Sequence, residues 1–504
     1  MRRKKTSPPP PVELQQALHW LAEPPQEDPL LELVPLRNHV AAIAALELPL
    51  LHQLKIDELL QQRAERIDGA LMPLLLDVKL PPPIHLGTIA QGLIDLRAEL
   101  GETWLKVAGD ADSPKLARIH RSTPRLCLHG MFNLSRQFLA ASLIAVPTPI
   151  SLWRNAQALY YRAHESVDPT ATLSAEIVAL DACFKAMLAL SAAQPDGLAP
   201  RETAFLANYL ETYAAATRID TIAPETADGW FWLDANLDQA PTSLTRFAPS
   251  GGRCLYFTFG ELAALAARQV DRLSSGVPPL SIGLPIQAAG ADYRNALKRA
   301  RQSWAEPRRR SFNRRLQALP VAVCTHLSSL WTTLEADSGQ AAGADKSELS
   351  YSDWTLLSEG PSGYSIEHVL GRVSEIVPGC ALGLRTGPDA AWQICLVRWA
   401  RSKNSTHLEL GLEVLAPSAR PIRIQVLTGR KPQPPIPALL LPALPSIDRG
   451  EAILATRGDF NVRPFTLLQE DEGRLQVVEC VPQRSLIETS SVEVFEFARN
   501  AKAS

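Results

Sequence analysis

Gln393-Ile394-Cys395-Leu396-Val397-Arg398-Trp399 and His407-Leu408-Glu409-Leu410-Gly411-Leu412-Glu413 flank a short polar run at 402–406. In the second segment Leu408, Leu410, Leu412 and Val414 alternate with His407, Glu409, Gly411 and Glu413. A period of two places the leucines on one face of a strand and the polar set on the other. The run Ser402-Lys403-Asn404-Ser405-Thr406 has the length and polarity of a hairpin loop. The spacing predicts an antiparallel strand pair buried on one face, the seed of an antiparallel β-barrel.

Short runs at 319–334, 353–357, 363–368, 391–401 and 407–415 extend this pattern, each rich in Val, Ile, Leu, Trp or Thr and bounded by Gly, Pro, Ser or Asn. A proline-rich connector at 431–445 leads to strand candidates at 452–456, 465–469, 475–481 and 491–499. These form a small β-subdomain at 446–499 or an extension of the first barrel. Toward the N-terminus the period changes. Leu46, Leu50, Leu51, Leu54, Leu59, Leu60 and Ile67 recur at roughly helical spacing, and amphipathic segments follow at 89–105, 134–145, 174–190, 200–216, 259–273 and 293–304. Within this half, 229–233 and 253–258 read as short strands, and 1–11 as a disordered basic and proline-rich tail. The expected class is α+β: an irregular α-helical domain at 12–304, a barrel region at 305–430, the connector, and the small β-subdomain.

The chain has 504 residues, 46% of them hydrophobic and 21% charged, which excludes a chain disordered throughout, a collagen repeat and a multi-span membrane protein. Lys plus Arg number 51 against 53 Asp plus Glu, so the net charge of -2 exerts no global pull on nucleic acid or anionic lipid. Cys127, Cys183, Cys254, Cys324, Cys380, Cys395 and Cys480 are scattered with no Cys-x-x-Cys, which indicates buried free thiols rather than a disulfide framework or a zinc site. The basic N-terminus lacks the apolar core of a secretory signal, and no apolar run is long enough to span a bilayer. The expected location is cytoplasmic, without membrane insertion.

Charge clusters at one place. Arg294, Lys298, Arg299, Arg301, Arg308, Arg309, Arg310, Arg314 and Arg315 fall within 22 residues that hold one acid, Glu306. Pro307 stops the preceding helix, so the second half of the cluster reads as a loop just ahead of the first strand. Arginine suits anion capture there, because its planar fork bonds phosphate or the guanine edge bidentately and its face stacks on a purine. A solvated linker is the alternative reading of the same charges. Trp304, beside the cluster, is either a packed aromatic or a ring that stacks on a base.

An arginine-rich loop running into a barrel, then a strand pair with a small-residue turn, resembles the PilZ domain family of cyclic di-GMP receptors. The resemblance covers roughly 307–427 and implies a PilZ-like β-barrel at 305–430. In that family an Arg-x-x-x-Arg loop grips the dinucleotide's phosphates and guanines; Arg310-Ser311-Phe312-Asn313-Arg314 matches the spacing, with Arg309 and Arg315 as neighbouring members. The second motif of the family, Asp/Asn-x-Ser-x-x-Gly, falls on Ser358-Glu359-Gly360-Pro361-Ser362-Gly363. Ser358 replaces the acid or amide, Gly360 replaces the serine, and Gly363 is kept. A lost hydrogen bond to a buried ligand group costs roughly 1–3 kcal/mol, so this departure weakens binding without removing the arginine grip.

Other chemistries lack their residues. There is no His-Glu-x-x-His, no phosphate-cradling glycine loop and no Gly-x-Ser-x-Gly, so no catalytic or metal residue is assigned and no cofactor is expected. The Gly251-Gly252 pair reads as a turn before a strand. The expected function is a cyclic di-GMP-binding effector, not an enzyme, in which Arg309, Arg310, Arg314 and Arg315 with Ser358, Gly360 and Gly363 hold the ligand and capture alters the binding of an unidentified protein partner. The alternative is a degenerate PilZ-like adaptor that binds proteins without nucleotide. Nucleic acid is not an expected partner, since so short a basic stretch would bind it blind to sequence.

Overall fold

The computed structural model describes residues 11–109, 123–167, 172–249, 251–306, 314–337, 351–369, 375–404, 406–426, 434–458, 460–471 and 474–500. Helices dominate the first part: α1 (Val12–Ala22), α2 (Leu30–Ala44), α3 (Leu50–Leu71), α4 (Ile84–Gly109), α5 (Thr123–Leu143), α6 (Leu152–Glu165), α7 (Ala175–Ala192), α8 (Pro200–Tyr213), α9 (Gly260–Ser274) and α10 (Ala291–Ala305). Of the periodic leucine set, Leu46 lies in the turn between α2 and α3, and the residues from Leu50 to Ile67 lie in α3, which begins after Pro49 at its N-cap. Buried side chains of α5, including Leu126, Met131, Leu134 and Phe138, join Trp104, Trp153 and Phe184 in one core. No helix among the described residues is long and apolar enough to cross a membrane.

The two aromatic runs inside the helical part are strands. β1 (Arg218–Asp220), β2 (Trp230–Asp234), β3 (Thr242–Ser243) and β4 (Cys254–Thr258) form a sheet ordered β1-β4-β2-β3. Phe231, Leu233, Leu255 and Phe257 are buried against the helices. Gly251 and Gly252 both have positive φ and turn the chain into β4.

The β-half closes twice. β5 (Arg315–Cys324), β6 (Ser352–Gly360), β7 (Gly363–His368), β8 (Ala381–Arg385), β9 (Gln393–Ser402) and β10 (Leu408–Ala416) make one closed barrel. β11 (Arg420–Val426), β12 (Ile436–Leu441), β13 (Ala452–Thr456), β14 (Phe465–Asp471), β15 (Arg474–Glu488) and β16 (Val492–Arg499) make another. Counted from its own first strand, each ring has the same antiparallel neighbours: first with second, second with third, third with sixth, sixth with fifth, fifth with fourth, fourth with first. The second barrel repeats the topology of the first.

Three expectations shift. The second barrel takes its first strand from within 305–430 and its second from 431–445, the stretch read as a connector. Proline is tolerated in β12 because Pro437 pairs only with Arg423 of β11, and the strand gains β13 on its other side from Ala438 onward. The apolar run at 319–334 ends as a strand at Cys324 and continues as helix α11 (Leu327–Asp337). Leu327, Leu330, Trp331 and Leu334 have helical spacing that the surrounding β-pattern concealed. α11 packs between the barrels, where Trp331 Nε1 donates to Ile422 O at 2.8 Å and the Arg423 guanidinium lies 4.4 Å from the Trp331 ring.

Helical and barrel parts dock closely. Leu80 and Ile376 exchange backbone hydrogen bonds at 2.8 Å each, and Ser402 N donates to Ala145 O at 2.8 Å. Asp196, in the 3-10 turn Pro195–Gly197, pairs with Arg401 of β9 at 2.9 Å. Trp304, at the end of α10, is fully buried and donates from Nε1 to Ala189 O at 2.8 Å. It is a packed aromatic, not a free stacking ring.

Candidate functional site

Arg314 is the first described residue after 307–313 and leads directly into β5. Arg309 and Arg310 lie outside the described residues. In the β5–β6 ladder Arg315 stands opposite Glu359 and Leu316 opposite Ser358. Paired residues share a face, and successive residues alternate, so Arg314 and Arg315 point to opposite sides of the sheet. The structure brings Arg314, not Arg315, to the predicted turn: its Nη1 donates to Ser358 Oγ at 3.4 Å. A Cβ on Gly360 would lie 3.6 Å from Arg314 Cγ, which is ordinary contact.

β6 and β7 are joined through Pro361-Ser362, with Gly360 paired to Gly363 as in a tight two-residue hairpin. Gly363 then meets β10. A Cβ there would come 1.9 Å from Leu412 O, so only glycine lets the turn press against that strand. Val414 N donates to Ser362 O at 3.0 Å and fixes the same contact from the other side. Ser358 and Gly360 thus belong to the arginine corner, while Gly363 is a packing residue of the turn.

Neighbouring polar groups that sequence reading did not single out complete the corner. Glu413, opposite Gly363 in the ladder, forms a close ion pair with Arg398 of β9. Tyr364 OH donates to Gln393 Oε1 at 2.9 Å, and burial raises the Tyr364 hydroxyl above its ordinary pKa. Gln317 Nε2 donates to Glu359 Oε2 at 2.7 Å, and Glu359 stands opposite Tyr364 in the β6–β7 ladder. No local pattern announces the Arg398–Glu413 pair, since it depends on the register of two strands. Among the described residues, no carboxylate lies within ion-pair distance of the Arg314 or Arg315 guanidinium.

Chemically the corner offers a cation that meets no carboxylate among the described residues, one hydroxyl and a turn without bulky side chains. That set suits capture of an anion. Residues 331–421 match the family described as "Cyclic-di-GMP receptor FimW, middle PilZ domain", and residues 15–225 match "Cyclic-di-GMP receptor FimW, N-terminal domain". A curated relative, the cyclic-di-GMP receptor FimW of Pseudomonas aeruginosa, is 32% identical over 106 residues. That match spans 21% of this chain and 18% of the relative's length. No solved structure matches the chain.

Proposed function

We propose, from a chain whose residues 331–421 belong to the PilZ domain family, that the first barrel captures cyclic di-GMP and that capture changes partner binding rather than driving catalysis. Arg310 and Arg314 hold the phosphates and guanines, Arg309 and Arg315 assist, and the turn from Ser358 to Gly363 lies against the ligand. The observation that carries this reading is Arg314 itself. It stands at the turn on a hydroxyl contact, and among the described residues no acid of the chain neutralises it. The printed name of the Pseudomonas relative, a cyclic-di-GMP receptor, supports the same ligand. In this reading the protein acts in the cytoplasm.

The route from capture to output runs through α10. This helix leads into the arginine loop, and along its length Arg299 bonds the Gly197 carbonyl while Asn295 Nδ2 donates to Glu488 O of the second barrel at 3.3 Å. A ligand held by the arginines that follow α10 therefore pulls on a helix that touches both the helical part and the second barrel. Such a pull shifts the balance between docked arrangements.

One observation favours the adaptor reading: Gly360 carries no side chain, and the Ser358 hydroxyl is already engaged by Arg314. Isothermal titration of the full chain with cyclic di-GMP separates the two. The receptor reading expects saturable heat, lost by about a hundredfold or more in Arg310→Ala/Arg314→Ala as two charge-assisted contacts disappear. No heat from the intact protein at about tens of micromolar ligand, a concentration that detects roughly 6–7 kcal/mol of binding, establishes the adaptor.

A further inference from the structure

The strand that opens the first barrel is built into it along only part of its length. β8 pairs with β5 at Ala322, Val323 and Cys324, and among the described residues no strand lies on that side of 315–321. β6 lies along the other edge, from Arg315 opposite Glu359 to Val323 opposite Ser352. Every residue from Arg314 to Pro320 except Gln317 is exposed, Leu316 at 84% and Leu319 at 52%. An unpaired edge presents a row of backbone donors and acceptors, and native chains seldom leave such a row beside bare apolar side chains.

The two leucines point to opposite sides of the sheet. β7 sets Ile366 against Leu356 and the adjacent Ser365 against Ser358, so Leu356 and Ser358 face opposite ways. Leu319 stands opposite Leu356 and Leu316 opposite Ser358, and residues directly opposite share a face. A ligand lying on either face meets one leucine. A strand added in the plane of the sheet, at the free edge, meets both and takes up the unpaired backbone groups as well.

The arm's own sequence fits that place. Set antiparallel to a second copy with Gln317 opposite Ala318, it brings Leu316 opposite Leu319, and the two-fold axis repeats the contact. The cations stay apart. Arg315 falls opposite Pro320 of the second copy, about 17 Å along the strand from the other Arg315 and beyond the screening length of about 8 Å. Pro320, with no N–H to donate, closes the paired stretch. A parallel pair would instead set the arginines of both copies side by side. We propose that the chain forms a homodimer in which the free edges of two β5 arms pair antiparallel in this register. The contact stands apart from nucleotide capture and goes beyond the receptor reading.

Sedimentation velocity of the full chain over a concentration series, without nucleotide, reads the assembly. The wild type is expected to pass from monomer to dimer as concentration rises. Leu316→Glu/Leu319→Glu sets like charges opposite each other twice and is expected to weaken the dimer about tenfold or more. Both side chains face solvent, so thermal unfolding of this variant should match that of the wild-type monomer. Leu316→Lys/Leu319→Glu sets unlike charges opposite each other in the proposed register and is expected to restore the dimer at low salt. A wild type that stays monomeric at millimolar concentration overturns the proposal and leaves the receptor reading intact. A dimer that survives in the double glutamate variant overturns it too, because the contact then lies elsewhere. So does a charge-swapped variant that stays monomeric, because the register is then wrong.

Discussion

Gly363 lies so close to the backbone of Leu412 that a Cβ would stand 1.9 Å from the Leu412 carbonyl oxygen and 2.9 Å from its carbon. The obstacle is backbone on both sides, so no rotamer change relieves it. Gly363→Ala must push β7 off β10 or distort the turn that carries Ser358 and Gly360. Overpacking of this kind costs typically 1–3 kcal/mol, and here the upper end is expected. Thermal unfolding of the full chain should show a lower midpoint, together with weaker cyclic di-GMP binding. A variant as stable as the parent would show that the turn does not press on β10.

Gly197 is the corresponding wedge between the helical part and the first barrel. A Cβ there would lie 2.8 Å from Arg398 O and 3.1 Å from Arg299 Nη2. Arg299 can swing aside, but the Arg398 carbonyl cannot. Gly197→Ala is expected to loosen docking by about 1–3 kcal/mol and to speed proteolytic cleavage between the parts. An unchanged digestion pattern would refute the wedge.

Arg97 is fully buried in the helical core, held by Asp68 at 3.1 Å and by Asn133 Oδ1 at 2.8 Å. Arg136 Nε bonds the same Asp68 oxygen at 2.7 Å. Burial pulls the Arg97 guanidinium below its ordinary pKa, and Asp68 opposes the shift. Asp68→Ala leaves an uncompensated buried cation, for which about 3–5 kcal/mol of lost stability is expected in urea titrations. Arg97→Met in the Asp68→Ala background should recover part of that loss, since an apolar group no longer needs the acid.

Asp57 sits on the buried face of α3 and accepts from Gln53 Nε2 at 2.8 and 3.0 Å. Desolvation dominates over that hydrogen bond and pushes its carboxyl from 3.8 up to about 7. The folded state therefore keeps a proton that the unfolded chain has released. Its contribution to stability is complete below the unfolded pKa and is lost as pH rises through about 7. At about 1.4 kcal/mol per pKa unit, the loss is on the order of 4 kcal/mol. Asp57→Asn should flatten this slope and raise the stability measured above neutrality; an identical pH profile in the variant would show that Asp57 does not titrate in this window.

Much of the secondary structure was legible because periodicity is local. The alternation from His407 to Val414 became β10, paired with β9 across the expected loop, and the aromatic runs became β2 and β4. The turn from Ser358 to Gly363 was placed through the resemblance to the second motif of the PilZ family, and it joins β6 to β7. Elements that defeated the reading carried contradictory signals: prolines around β12, and helical spacing in α11 embedded among strands.

The order of residues along the chain, by itself, determined where strands and helices begin to form and where positive charge is concentrated, because both are properties of near neighbours. Only tertiary structure decided that two rings close with one topology and that Arg314 and not Arg315 meets Ser358. The physical reason is register. A ladder joins residues tens of positions apart, and one step or one bulge in it sends a side chain to the other face.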